Sequence, residues 1–227
     1  MDSVFRNPRA VWLMLTPALL VYTVVMVIPI LWSVTYTFQS GNAISGFEFV
    51  GLENWIKFLG DDTGHDALWF TLKYALIMTT LQVLAGYGLA LFYVFFLQNK
   101  SPLVRTIIFF PVILPTVAVA LMFSRMFEAA PSVGPINTVI TWLGGDLTDF
   151  LGDPGYSFWV IIIMDVWRSM GFYAVLLYAG LVEIPQDVME SARMDGAARW
   201  KLIRTIVLPL SLPVLLSAII FSINGTL

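Results

Sequence analysis

An all-α, polytopic helical membrane protein, a single domain over 1–227 with about five transmembrane helices, is the fold class this sequence predicts. Composition is the first ground: of 227 residues 59% are hydrophobic and 12% charged, and a mean hydropathy of +0.84 is too high for an ordinary soluble domain. Length is the second, because apolar residues gather in runs of about 20 or more, enough to cross a hydrocarbon core as helix. Charge is the third: Lys and Arg collect in alternate connecting segments, as they do on the cytoplasmic side of membrane proteins. The same inventory excludes several classes. Without cysteine there is no disulfide and no thiolate metal site, and a formal charge of -3 leaves no basic footprint for nucleic acid. No Gly-Lys-Ser/Thr occurs, so a phosphate-cradling loop is missing and any ATP must be hydrolysed by another chain.

The first apolar run covers 11–38 behind Arg6 and Arg9, interrupted only by Pro17, Pro29 and small polar residues. It is too long for a signal-peptide core and lacks a small-x-small cleavage site, so it reads as a retained span. A loop over 39–67 follows, rich in Gly and acids (Glu48, Glu53, Asp61, Asp62, Asp66), with His65 the single histidine of the chain. One histidine makes no metal site. The second span, 68–97, contains Ala85-Gly86-Tyr87-Gly88, which is similar to the Gly-Tyr-Gly of a potassium-channel filter. A filter needs a short re-entrant segment with exposed carbonyls, whereas these glycines lie inside an uninterrupted apolar run. Ala85, Gly86, Gly88 and Ala90 are better read as small residues that let a neighbouring helix approach.

A tight polar turn is expected at 98–102, then Arg105 and a third span over 103–127. Pro111 and Pro115 within it each remove a backbone donor, which predicts a bent helix whose freed carbonyls face protein or water. After a loop over 128–155 with Asp146, Asp149 and Asp153 comes the fourth span, 156–181. Asp165, Arg168, Ser169 and Phe172 fall on one helical face near mid-membrane, where ionisable groups face a cavity or a partner. The plainer alternative is that Asp165 and Arg168, three apart, neutralise each other and that the aromatics are packing material.

The next connector, about 183–205, is the polar interruption on which the functional reading turns. Pro185 suits a first helical turn and Asp187 and Glu190 its positive end, so a short helix is expected over 185–194. Gly196 is placed to take the left-handed conformation that ends it, with helix resuming through Ala197, Ala198, Leu202 and Ile203 and a fifth span over 206–227. Glu190, Ala192, Gly196, Ile206, Leu208 and Pro209 stand at the spacing Glu-Ala-Ala, three residues, Gly, nine residues, Ile-x-Leu-Pro, with Ser191 in place of the first alanine. This pattern resembles the cytoplasmic coupling loop of the membrane subunits of binding-protein-dependent ABC importers. A solvated, charge-rich connector is the alternative, and the whole spaced pattern, rather than a lone Glu and Gly, weighs against it.

What the resemblance implies is a permease subunit that does no chemistry on its substrate and binds no cofactor. ATP and Mg would be used by partner ATP-binding cassette subunits, which dock on Glu190, Ser191, Ala192, Asp195 and Gly196 and, through the 190–209 stretch, on Ile206, Leu208 and Pro209. A second permease subunit and an extracytoplasmic solute-binding protein are the other implied partners, in a bacterial or archaeal inner membrane. Phe49-Val50-Gly51-Leu52-Glu53-Asn54-Trp55 is similar to a segment of the carbohydrate branch, and Phe109-Phe110-Pro111 with Pro115 to another family feature. Together they point to the maltose or glycerol-3-phosphate importer type and to a carbohydrate substrate. On that reading Arg168, Ser169, Gly171, Phe172 and Tyr173 are the candidate substrate pathway: aromatic rings suit the apolar faces of sugars, and polar groups suit their hydroxyls. Phe172 and Tyr173 are the stacking candidates, Phe172 the stronger because it shares the face of Arg168 and Ser169, while Gly171 is expected to loosen the helix. Family members have one more span after the fifth, so the core is expected to be truncated before its last helix, as a shortened chain or a gene fragment.

Arg6, Arg9, Lys100, Arg105, Arg193, Arg199, Lys201 and Arg204 fall on the side of the coupling loop, which places the amino terminus in the cytoplasm. Lys57, Lys73 and Arg125 are the exceptions. Two further readings stay open: a permease for a non-sugar solute, and an ion channel. A membrane enzyme would need a reactive constellation, and with no Cys and a lone His65 none is found.

Overall fold

The computed structural model describes residues 8–42, 44, 46–97, 102–197 and 200–227, without the side chain of Arg105. Arg6, Lys100, Ala198, Arg199 and the body of the polar turn expected at 98–102 lie outside these residues. The chain divides into two compact units, 1–69 and 70–227, where the sequence reading takes 1–227 as one domain.

The first unit begins with α1, Pro8–Tyr36. It is apolar on every side and none of its residues is buried, as suits a helix whose solvent is lipid. Pro29 sits just beyond a turn, Thr23–Val27, that is widened to π geometry, with the Ile28 N–H bonded to the Thr23 carbonyl. A proline ring crowds the carbonyl four residues back, and a wider preceding turn relieves it. The following loop holds structure that an all-α reading omits: an antiparallel hairpin of β1 (Gln39–Asn42) and β2 (Gly46–Phe49), pairing Gln39 with Phe49. Helix α2, Glu53–Leu59, is tied back to the end of α1 by Asn54. Its Nδ2 donates to the carbonyls of Thr37 at 3.0 Å and Gln39 at 2.8 Å, and Trp55 Nε1 donates to Thr37 Oγ1 at 3.2 Å. The Glu53-Asn54-Trp55 signature is thus a local clasp.

The boundary between the units falls inside α3, Asp62–Phe96. The second unit then comprises α4 (Pro102–Ile113), α5 (Thr116–Met126), α6 (Pro135–Trp142), α7 (Pro154–Val182), α8 (Gln186–Met194) and α9 (Trp200–Thr226). Pro111 is accommodated inside α4, but Pro115 has ψ 135 and breaks the helix, so the third span is two helices at 96°. Pro115 itself takes the extended ψ as the N-cap of α5, and one such step suffices for the break. Among the described residues four helices are long and apolar enough to cross a membrane, or five if the broken pair is one span.

Three spans make the core. Val83, Tyr87 and Ala90 of α3, Tyr173, Leu177 and Leu181 of α7, and Leu202, Val207 and Ala218 of α9 form one apolar cluster, joined by Ala197 from the connector. Close approach is bought with glycine. A Cβ on Gly86 would lie 2.5 Å from Tyr173 Cβ, and one on Gly180 would lie 2.6 Å from Val214 Cγ2. Gly88 meets nothing within 4 Å, so of the small residues expected to admit a neighbour Gly86 and Ala90 are buried in the contact and Gly88 is not.

Candidate functional site

The connector after α7 folds into a capped helix. Pro185 stands at its N-cap with φ -59 and ψ 137, Asp187 lies in the first turn and Arg193 in the last, each charge complementing the nearer end of the helix dipole. Gly196 has φ +80. The Gly196 N–H donates to the Arg193 carbonyl at 3.0 Å and the Ala197 N–H to the Ala192 carbonyl at 2.9 Å. These two bonds are the Schellman arrangement, which closes a helix on a left-handed residue and here satisfies two of its last carbonyls. Among the described residues a Cβ at Gly196 would meet nothing within 4 Å, so it is the backbone conformation that calls for glycine here. Glu190, Ser191, Asp195 and Gly196 are exposed, Ala192 is half-buried, and the chain leaves the cap through the buried Ala197 into the core cluster. An open groove between the end of α3 and α8, with Phe95, Val182 and Met189 in its walls, carries Glu190 and Arg193 on its lining.

Ile206, Leu208 and Pro209 belong to a different element. Helix α9 starts at Trp200, not at 206, so these residues lie inside it and the loop ends before it reaches them. Lys201 and Arg204 in the first turns lower the local hydropathy and hide the helix start from a reading by apolar runs. Ile206 sits in another π turn, Ile203–Val207, which ends two residues before Pro209 and in which the Leu208 N–H bonds to the Ile203 carbonyl. It is the same relation as Thr23–Val27 to Pro29. The Ile-x-Leu-Pro part of the pattern therefore shapes the entry of a span.

In the middle of α7 the polar residues are divided between partners. Asp165 Oδ2 accepts from Tyr74 Oη at 2.7 Å, and Asp165 Oδ1 lies 3.8 Å from Arg168 Nε, within ion-pair range but too far for a hydrogen bond. Arg168 Nε is buried with no hydrogen-bond partner among the described residues. Ser169 Oγ stands 2.7 Å from Gln82 Oε1 and 2.6 Å from the Asp165 carbonyl, and its one hydrogen serves one of them at a time. Gln82 Nε2 donates to Ser222 Oγ, which donates to Thr79 Oγ1 at 2.9 Å. Gln82, Ser222 and Thr79 are buried. Sequence reasoning missed these three and Tyr74, because single polar residues in apolar runs do not announce which helix they will meet. The ladder from Tyr74 to Asp165, Gln82 to Ser169 and Gly86 to Tyr173 climbs both helices in the same chain direction, as second and fourth spans must.

The aromatic candidates part company. Phe172 is 47% exposed and Tyr173 only 6%, the latter packed on Gly86 in the core, so Tyr173 is placed as packing and not as an accessible stacking ring. Trp167 tilts against Phe123 of α5 at 5.8 Å. Gly171 corrects an expectation: α7 runs through it without loosening. A Cβ there would collide with the Ile108 carbonyl of α4 and lie 3.0 Å from Val112 Cγ2, so the glycine admits a neighbouring helix.

Residues 82–227 match the family described as binding-protein-dependent transport system inner membrane component. The chain is 31% identical over 217 residues to the trehalose/maltose transport system permease protein MalF of Thermococcus litoralis, covering 95% of this chain and 72% of that protein. It is 30% identical over 222 residues to the lactose transport system permease protein LacF of Rhizobium radiobacter, again covering 95% and 72%. Among solved structures, a chain of a bacterial alginate ABC transporter in complex with an alginate pentasaccharide-bound periplasmic protein superposes with TM-score 0.77 at 20% identity, over 100% of this chain and 75% of that one. At that identity the likeness is one of fold.

Proposed function

Because this chain belongs to the family of inner membrane components of binding-protein-dependent transport systems, we propose that it is the transmembrane subunit of an ATP-driven sugar importer and that α8 is its lever. The observation that carries the reading is the capped, exposed helix whose exit residue, Ala197, lies in the same apolar cluster as α3, α7 and α9. A force applied to α8 reaches all three spans through packed side chains rather than through a slack loop. An ATP-binding cassette subunit docking on Glu190, Ser191, Asp195 and Gly196 would bias the bundle between outward-open and inward-open states by contacts that differ between them. ATP and Mg belong to that partner. This chain holds no cofactor in the mechanism.

A second permease subunit completes the path, and an extracytoplasmic binding protein delivers the substrate. The sugar assignment is supported by the sugars for which the relatives are named, trehalose, maltose and lactose. Within this chain the pathway runs past Arg168 and Phe172. Support comes from their spacing on α7, four residues apart, which puts a partly exposed guanidinium on the same face as a half-exposed ring, a polar group and an apolar face of the kinds that a sugar can use. The basic residues Arg193, Lys201 and Arg204 around α8 orient that side, and with it the amino terminus, to the cytoplasm of a bacterial or archaeal cell.

The test is reconstitution of the complex in vesicles with labelled maltose, trehalose and lactose, with and without ATP and the binding protein. Uptake of at least one sugar that requires both is expected. Solute or ion flux that proceeds without nucleotide would refute the importer reading and favour the channel.

A further inference from the structure

The segment between α5 and α7 contains a helix built the wrong way round for water. In α6, Pro135–Trp142, the polar side chains are all turned inward or onto the helix itself. Asn137 is fully buried: its Nδ2 donates to the carbonyls of Glu128 at 3.2 Å and Thr148 at 2.9 Å, and its Oδ1 accepts from the Thr148 N–H at 3.0 Å. Thr138 Oγ1 donates to the Gly134 carbonyl at 3.0 Å and Thr141 Oγ1 to the Asn137 carbonyl at 3.0 Å. Both threonines are exposed with their hydroxyls bonded within the helix, and beside them stand large apolar side chains: Val139 is 53% exposed, Trp142 82% and Leu143 72%. From 135 to 145 there is no charged residue, although Glu128, Asp146, Asp149 and Asp153 flank the stretch.

The position of this face is set by the backbone. Gly134, which precedes α6, is pressed on the end of α5: a Cβ there would collide with the Arg125 carbonyl and lie 2.7 Å from that of Met126. The Asn137 bonds hold the far side of the loop to the same helix, and α7 follows directly from Asp153, whose Oδ1 caps it by accepting from the Gly155 and Tyr156 N–H groups at 2.7 and 3.1 Å. Helix α6 is therefore fixed where membrane-crossing helices end, on the opposite side from α8, one span away. We propose that α6 is an interfacial helix lying on the lipid surface, with Val139, Trp142 and Leu143 set into the boundary between headgroups and acyl chains. Tryptophan is enriched at that depth because its ring is apolar and its indole N–H finds headgroup partners. A docked protein is the weaker fit, since the exposed residues of 135–145 offer no charge to recognise and the acids stand only at the two ends of the stretch. The acids on either side favour a zwitterionic surface over an anionic one.

Because the chain has no cysteine, single thiols report on the face without interference. Trp142→Cys and Leu143→Cys, with Asp146→Cys as the wet comparison, are labelled with a small fluorophore in the reconstituted complex built with cysteine-free partner subunits. The vesicles are phosphatidylcholine brominated on shallow acyl carbons. Labels at 142 and 143 are expected to be quenched several-fold more by the brominated lipid than the label at 146, and several-fold less by aqueous iodide. Independently, Trp142→Phe should remove part of the lipid-quenchable tryptophan emission. Equal iodide quenching at all three positions would overturn the proposal. So would protection at 142 and 143 that arises only when the binding protein is added, which would make α6 a protein-docking surface. Transport need not change in either case, so the outcome is separable from the importer reading.

Discussion

Replacing Gly196 tests whether the lever depends on backbone conformation or on room for a partner. Its φ of +80 is one that L residues with a Cβ occupy at a cost of about 1–2 kcal/mol. Nothing among the described residues lies within 4 Å of an added Cβ, so the backbone cost is the intramolecular effect that the structure shows. One to two kcal/mol is roughly a 5–30-fold shift in the population of the closed cap. The Ala197 N–H to Ala192 carbonyl bond would be lost in the open form, and α8 would no longer be clamped to the core cluster. Asparagine tolerates the left-handed region better than alanine or valine, because its side chain bonds locally. Uptake per ATP hydrolysed in the reconstituted complex should fall in the order Gly, Asn, Ala, Val, while the amount of assembled complex stays unchanged. The reasoning fails if Gly196→Ala couples better than Gly196→Asn, since loss would then follow side-chain size at a docking surface. Normal coupling in Gly196→Val would remove α8 from the lever altogether.

Three further outcomes are expected. Gly171→Leu should destabilise the assembled subunit by about 1–3 kcal/mol through overpacking against Ile108 and Val112, while Gly88→Ala should stay within about 0.5 kcal/mol; thermal unfolding in detergent separates them. Phe172→Ala should raise the apparent KM for sugar by roughly 2–12-fold, the equivalent of about 0.5–1.5 kcal/mol of ring contact, with assembly and basal ATP hydrolysis intact; loss of assembly instead would assign the ring to packing. Glu128, just beyond α5, is held below its ordinary carboxyl pKa of 4.5 by hydrogen bonds from Arg125 and then Ser132. A lowered folded pKa means that the clasp contributes fully above 4.5 and is lost as pH falls through the folded value. Hydrogen-exchange protection over 128–134, taken relative to the intrinsic rate at each pH, should fall only on acidification below 4.5, and in Glu128→Gln this step in protection should vanish.

Where local chemistry decides the backbone, the sequence can be read directly. Pro185 ahead of α8, the acid and base at its two ends, and Gly196 after it are all signals that act within a few residues, and the left-handed glycine is where they place it. Helix is expected to resume through Leu202 and Ile203, but its continuity with the fifth span is not, because Lys201 and Arg204 lower the local hydropathy and a reading by apolar runs begins the span only at Ile206. The hairpin at 39–49 rests on two strands of four residues each without alternating burial, too short to register against a helical background. The candidate pathway was legible as a cluster but not as a division of labour. Phe172 and Tyr173 are neighbours in sequence, and only the register of α7 against Gly86 buries one and exposes the other. Gln82, Thr79 and Ser222 were invisible for the same reason, since their meaning lies in partners 87 to 143 residues away.

That separation sets a schedule for synthesis. Gln82 enters the bilayer with α3, but its carbonyl oxygen waits for Ser169, 87 residues later, and its amide hydrogens for Ser222, 140 residues later. At about 5–20 residues per second, the first wait is roughly 4–17 s and the second roughly 7–28 s. For that interval an amide stands in or beside hydrocarbon without its final partners, which costs free energy unless water or the insertion machinery shelters it. The nascent chain must therefore keep α3 in a polar waiting site until α9 emerges, and the spans close as one late event rather than one by one.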